Sequence, residues 1–218
     1  MDDAIRDLVR EVLRRLAVAQ GGDGARGELI VVATGATVGR DEAVDQMIAL
    51  ILKGYRLKLI CSAMAEHLVG DALTRGLAGF PNWEMLPPRA WFGPLTAARA
   101  VVVPLLSVNS LSKLAALIGD DDTANLMLHA LFAGKPLVLA ADGVLPGPGR
   151  DALGFGHANR ALRAAVEERL RTVIGFGAAI VELGGLAARV EAALSPAAPT
   201  RPEVGAPRGR RLSHARVV

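Results

Sequence analysis

The stretch from Val101 to His129 constrains this chain most. It opens with three β-branched residues, Val101, Val102 and Val103, and is stopped by Pro104. Ser107, Asn109 and Ser110 follow, then a helix-like apolar pattern interrupted by Asp120, Asp121 and Asp122. A short, wholly apolar run fits a strand buried on both faces, the usual state of a strand in a parallel sheet. Small polar residues between such a strand and a helix mark the place where α/β proteins hold ligands.

The same grammar recurs along the chain. Residues 29–34, 57–61, 136–141 and 179–183 read as further strands. Residues 40–53, 111–133, 158–173 and 186–194 read as helices, another begins near Ala63, and 79–95 reads as irregular. Five apolar strands alternating with helices predict a three-layer, Rossmann-like α/β fold with a parallel sheet. Aromatic residues make up only 4% of the chain, so Ala, Leu and Val must fill its core.

Two segments lie outside that pattern. In residues 1–19, Ile5, Leu8, Val9, Val12, Leu13 and Leu16 recur at helical spacing and form one apolar stripe. Asp2 and Asp3 suit the positive end of this helix, and Arg14 and Arg15 its negative end. The Gly-rich residues 20–27 read as a flexible linker. A helix tethered in this way either packs its stripe on the body or docks on another protein. The body is expected over 28–194. Residues 195–218, rich in Pro, Ala and Arg, read as a disordered basic tail, with RRLSHARVV as a candidate short strand.

Charge narrows the function classes. The formal net charge is +3, but five arginines against Glu203 in the tail leave the remaining chain slightly acidic. No basic stripe with interleaved aromatics runs through the body, which argues against nucleic acid. No apolar run reaches the ~20 residues of a membrane span, and the charged N-terminus has no apolar signal core. With the single Cys61, the expected location is the cytoplasm. The four histidines lack ligand spacing, so no metal site is expected.

The candidate site is the set of strand ends. These are Thr34, Gly35, Ala36 and Thr37; Ser62; Ser107, Val108, Asn109 and Ser110; and Asp142. Hydroxyls and small residues suit a phosphate cradled by backbone N–H groups. Ser62 and Asn109 could each equally cap the following helix. Acids and bases are too few for side-chain catalysis, which points to a cofactor as the agent of the chemistry.

The order of these motifs resembles the flavoprotein family of phosphopantothenoylcysteine decarboxylase, peptidyl-cysteine decarboxylases, flavin prenyltransferases and dihydromethanopterin reductase. The resemblance covers roughly residues 28–183. It rests on Thr34-Gly35-Ala36-Thr37, Ser62-Ala63, Pro104 with Ser107-Val108-Asn109-Ser110, Lys113-Leu114-Ala115, Asp120 to Asn125, and Gly134-Lys135-Pro136. It implies an FMN-binding homo-oligomer. Thr34–Thr37 and Ser62 would hold the phosphate, Ser107–Ser110 would line the flavin ring, Asn109 would be the catalytic amide, and Asp142 would close the site.

The decarboxylases of that family carry a histidine ahead of the third strand and a Met/Asn clamp after the fourth. Residues 78–103 contain no histidine, and residues 140–144 contain neither Met nor Asn. That departure argues against cysteine decarboxylation and for an oxidoreductase or flavin carrier. The alternatives are a decarboxylase- or prenyltransferase-like lyase or transferase on the same scaffold, or a non-catalytic subunit of a larger enzyme. The helix of residues 1–19 with its linker is similar to the encapsulation peptides of bacterial microcompartment cargo, which implies a shell-protein partner and a microcompartment lumen.

Overall fold

The computed structural model describes residues 3–19 and 24–195. The chain runs α1 (Asp3–Ala19), β1 (Glu28–Ala33), α2 (Arg40–Leu52), β2 (Arg56–Cys61), α3 (Ala63–Ala65), a π-helical turn (Glu66–Gly70) and α4 (Asp71–Leu77). It continues through β3 (Trp83–Met85), α5 (Phe92–Ala97), β4 (Ala100–Leu105), α6 (Val108–Ala115) and α7 (Asp122–Phe132). The last elements are β5 (Leu137–Ala140), α8 (Pro148–Ala152), α9 (Arg160–Gly175), β6 (Ala179–Val181) and α10 (Leu186–Leu194), with single 3-10 turns before α9 and α10.

The six strands form one parallel sheet in the order β3-β2-β1-β4-β5-β6. Alternate side chains feed opposite layers. Leu29, Val31, Leu57, Leu59 and Val102 share one core with α2, α4 and α10. Ile30, Val32, Val101, Val103 and Leu139 share the other with α5, α6, α7 and α9. The expected three-layer α/β architecture is therefore present. The strand order reverses between β1 and β4, and the crevice outside their carboxyl ends is where such sheets bind ligands. Among the described residues no helix is long and apolar enough to cross a membrane.

Two expectations are corrected. The stretch 79–95 is not wholly irregular, because Trp83–Met85 adds an edge strand paired to β2. Three residues between prolines carry too little periodicity to announce themselves, and only the neighbouring strand recruits them. The expected helix over 111–133 is two helices. The chain leaves α6 after Ala115, passes Leu117 in the left-handed region at φ 58°, and restarts at α7 with Asp121 as N-cap. Asp121 accepts the Ala124 N–H at 2.9 Å and the Thr123 hydroxyl at 2.6 Å. Lys113 Nζ lies 2.7 Å from both Asp120 and Asp121. The aspartates thus staple a helix break.

The N-terminal helix resolves its two readings in an unexpected way. It lies on the body, but by its cationic side. Arg10 contacts Asp45 at 2.8 Å, Arg6 reaches Asp41 and Asp45 at 3.6 Å, and Arg14 stacks over Phe80 at 5.4 Å. Ala17 is buried and Leu13 partly so. Ile5, Leu8, Val9, Val12 and Leu16 all face outward, Leu8 65% exposed. Ion pairs this exposed contribute about 0–1 kcal/mol each, so α1 is held far less firmly than the sheet helices. Residues 20–23 of the expected linker and the tail 196–218, including its candidate strand, lie outside the described residues. Residues 24–27 form a turn, with the Gly27 N–H on Gly24 O at 2.8 Å and the Arg26 N–H on Gly54 O at 3.1 Å.

Candidate functional site at the carboxyl ends of the strands

Thr34 joins the two halves of the crevice. It is fully buried. Its hydroxyl donates to Leu105 O and accepts the Ser107 N–H, both at 2.7 Å, while its own N–H donates to Leu105 O at 2.9 Å. The threonine after β1 therefore clamps the loop after β4. Its hydroxyl is committed to that joint and unavailable to a ligand.

The loops after β1, β4 and β5 meet at Gly143. A Cβ there would overlap the Leu106 carbonyl oxygen and come within 2.8 Å of Ala36 Cβ. Ala36 is buried at this junction. Gly35 is similarly tight, since a Cβ would meet Met64 Cγ at 2.7 Å. Asp142 sits behind the junction. Its carboxylate accepts the Leu183 N–H at 2.8 Å, tying the end of β5 to the turn before α10. It shapes the third side of the crevice from behind.

Three groups remain turned to solvent. Thr37 is exposed, and among the described residues no hydrogen bond engages the N–H groups of Gly35, Thr37 or Val38. Ser62 caps α3, its Oγ accepting the Ala65 N–H at 3.2 Å, which leaves its own proton to donate. Ser107 caps α6 in the same way through the Ser110 N–H at 3.2 Å, with the two hydroxyls 3.0 Å apart. Since Ser107 takes the cap, Asn109 does not. Asn109 is the second residue of the helix and exposed, beside a half-buried Val108. Unsatisfied N–H groups at the start of a helix favour an anion, and two turns of this kind flank the crevice.

Sequence reasoning missed the contribution of the segment after β5. Arg150 returns to donate to Gly143 O and stacks over Phe155 at 5.2 Å. It lines an apolar cavity of about 230 Å³ with Val108, Val144 and Val166. Only a loop that folds back on the crevice brings a cation so close, and no local pattern encodes that return.

A second cavity, of about 700 Å³, opens beside Ser62 between the ends of β2 and β3 and the start of α7. Cys61 lines it. Burial pushes the Cys61 thiol up to about 11, and the Glu66 carboxylate adds to the effect. The thiol is therefore protonated at neutral pH and is no nucleophile. Alkylation of Cys61 by iodoacetamide at pH 8 is expected to run roughly a hundredfold slower than that of a free cysteine, because the thiolate is the reacting form. A rate equal to free cysteine in a mass-spectrometric time course would contradict this. No group of three His, Cys, Asp or Glu side chains among the described residues is placed to hold a metal ion.

Solved structures share this architecture. DmrB from Burkholderia xenovorans, described as a cubic protein cage for redox transfer, aligns in its apo form with TM-score 0.57 at 21% identity, over 78% of this chain and 95% of DmrB. Its complex with FMN aligns with TM-score 0.56 at 18% identity, over 78% and 96%. The phenylacrylic acid decarboxylase of Aquifex aeolicus aligns with TM-score 0.58 at 17% identity, over 79% and 99%. This chain has their fold. Neighbours covered almost end to end leave a remainder of this chain that their fold does not include. No protein-family model and no curated protein matches the sequence.

Proposed function

We propose that this chain binds FMN in the crevice between β1 and β4 and acts as a flavin-dependent oxidoreductase or flavin carrier. The observation that carries the reading is the crevice itself. It presents free N–H groups at Gly35, Thr37 and Val38, the Thr37 and Ser62 hydroxyls, and the outward Asn109, at the switch point of a fold shared with DmrB in its FMN complex. Thr37, Ser62 and those N–H groups would hold the phosphate. Val108 and the Ser107–Ser110 turn would lie along the ring, and Asn109 would donate or accept at its edge. Thr34, Ala36 and Asp142 set the spacing of the loops. When bound, FMN supplies the electron-transfer chemistry that this set of side chains lacks. The homo-oligomeric state expected from sequence belongs to the same proposal, supported by the cage described for DmrB.

The test is direct. Purified protein mixed with FMN should retain the flavin through gel filtration and show its visible absorption bands. A colourless protein that takes up none sinks the reading. Reduction of the bound flavin by NADH or NADPH assigns the oxidoreductase role, and inertness to both assigns the carrier role.

The helix α1 we read as an addressing element, docking on a microcompartment shell protein. What supports this is its outward stripe of Ile5, Leu8, Val9, Val12 and Leu16, on a helix that meets the body through Arg6, Arg10, Arg14, Leu13 and Ala17. Deleting residues 1–19 should leave flavin uptake and melting temperature close to those of the full chain, and should abolish co-sedimentation with co-expressed shells. Collapse of the body on deletion would make α1 a core element instead.

A further inference from the structure

The cavity between β2, β3 and α7 has a charge pattern that the flavin reading does not use. Its volume of about 700 Å³ lies in the range of small-molecule sites, ~300–1,000 Å³. Ser62, placed above at the phosphate, also lines this cavity, so the two spaces adjoin through one residue.

Asp120 and Asp121, which pair with Lys113, and Asp122, which accepts two N–H groups, line one side, and two further elements bring unpaired charges of opposite sign. On one, the π-helical turn Glu66–Gly70 widens the helix before Asp71, and Glu66, Gly70, Asp71 and Thr74 all line the cavity. Single π turns recur at functional sites because they re-aim side chains at the expense of regular hydrogen bonding. On the other, Arg89 sits in the left-handed region at φ 65°. A non-glycine residue held there carries conformational strain that its surroundings must impose. Asp122 imposes it, accepting the Arg89 N–H at 3.0 Å through one oxygen and the Trp91 Nε1–H at 3.1 Å through the other. Asp122 thus fixes the Arg89 backbone with both oxygens engaged. Among the described residues the Arg89 guanidinium has no ion-pair partner, and neither has the Glu66 or the Asp71 carboxylate.

Unpaired charges of opposite sign on separate elements of one cavity match a ligand that carries both signs. We propose that this cavity is a ligand site of its own, beside the flavin crevice, and takes a small amino-carboxylate. The ammonium end faces Glu66 and Asp71, and the carboxylate end is gripped by the guanidinium fork of Arg89. The site stands apart from the flavin reading, since Val108 and the Ser107–Ser110 turn do not line this cavity.

The test uses three probes of equal length on the full chain: 6-aminohexanoate, hexylamine and hexanoate. Binding is followed by saturation-transfer NMR, with FMN uptake measured on the same sample. 6-Aminohexanoate should bind roughly three- to fivefold more tightly than either single-charge probe, the gain that an ion pair with an exposed partner supplies. Arg89→Gln should abolish its advantage over hexylamine, and the pair Glu66→Gln with Asp71→Asn its advantage over hexanoate. Both variants change exposed side chains and should melt like the parent. Equal binding of all three probes, or none by any, overturns the chamber while flavin uptake stands. Hexylamine binding as tightly as 6-aminohexanoate also overturns it, leaving only an acidic surface.

Discussion

Replacing Thr34 with valine is expected to destabilise the fold by about 2–3 kcal/mol and to weaken flavin uptake together with it. The two shapes are nearly equal, so the effect isolates the hydroxyl. Without it, Leu105 O keeps the Thr34 N–H as a partner, but the Ser107 N–H loses its acceptor at 2.7 Å. A part-buried donor left without a partner costs about 1–2 kcal/mol, the lower part of the range for such groups, and the lost bond to Leu105 O adds about 1 kcal/mol. For a chain of this size that corresponds to a melting temperature lower by about 4–12 °C. The Ser107 turn should also loosen, since the clamp that holds it to β1 is gone. Thr34→Ser should recover most of both effects. A valine variant that melts and binds flavin like the parent would show that the two loops are held by other means.

Gly143→Val is expected to be worse for binding than for stability. The new side chain would enter the Leu106 carbonyl and Ala36 at once. Neither neighbour is the end of a flexible side chain, so backbone must move. Overpacking of this kind costs about 1–3 kcal/mol, which a sheet buried on both faces can absorb. The strand-end loops cannot absorb it without parting, and they form the crevice. The variant should keep its far-ultraviolet circular dichroism and lose flavin retention on gel filtration. Retention equal to the parent would show that the junction of the three loops does not shape the site. Gly143→Ala provides the graded comparison, with the same two contacts and a smaller displacement.

The layers of this protein could be read from its residues, because a buried parallel strand leaves a local trace. Val101–Val103 and residues 29–33 are apolar without alternation, as two covered faces require, and residues 57–61 depart from this only at Lys58, which pairs with Glu28 and Glu84. The strand-end residues could be read for the same reason: hydroxyls and glycines stand where a run of Val and Ile stops. The edge strand Trp83–Met85 and the break between α6 and α7 could not. A three-residue strand forms only against its neighbour, and the aspartates at 120–122 show their use only when Lys113, Arg89 and Trp91 are beside them.

The roles within the crevice divide along the same line. By itself the sequence determined that Thr34, Ser62, Ser107, Asn109 and Asp142 stand at strand ends, since position after an apolar run is a local property. Tertiary structure alone decided what each does there. A threonine hydroxyl can clamp a neighbouring loop or bind a phosphate, and the choice depends on whether Leu105 O and Ser107 N–H lie within 3 Å of it. The amphipathic pattern of α1 likewise announced a helix but not its orientation. Which side faces the body depends on where Asp41 and Asp45 stand on α2, and they draw in the arginines and leave the apolar stripe outward except at Leu13.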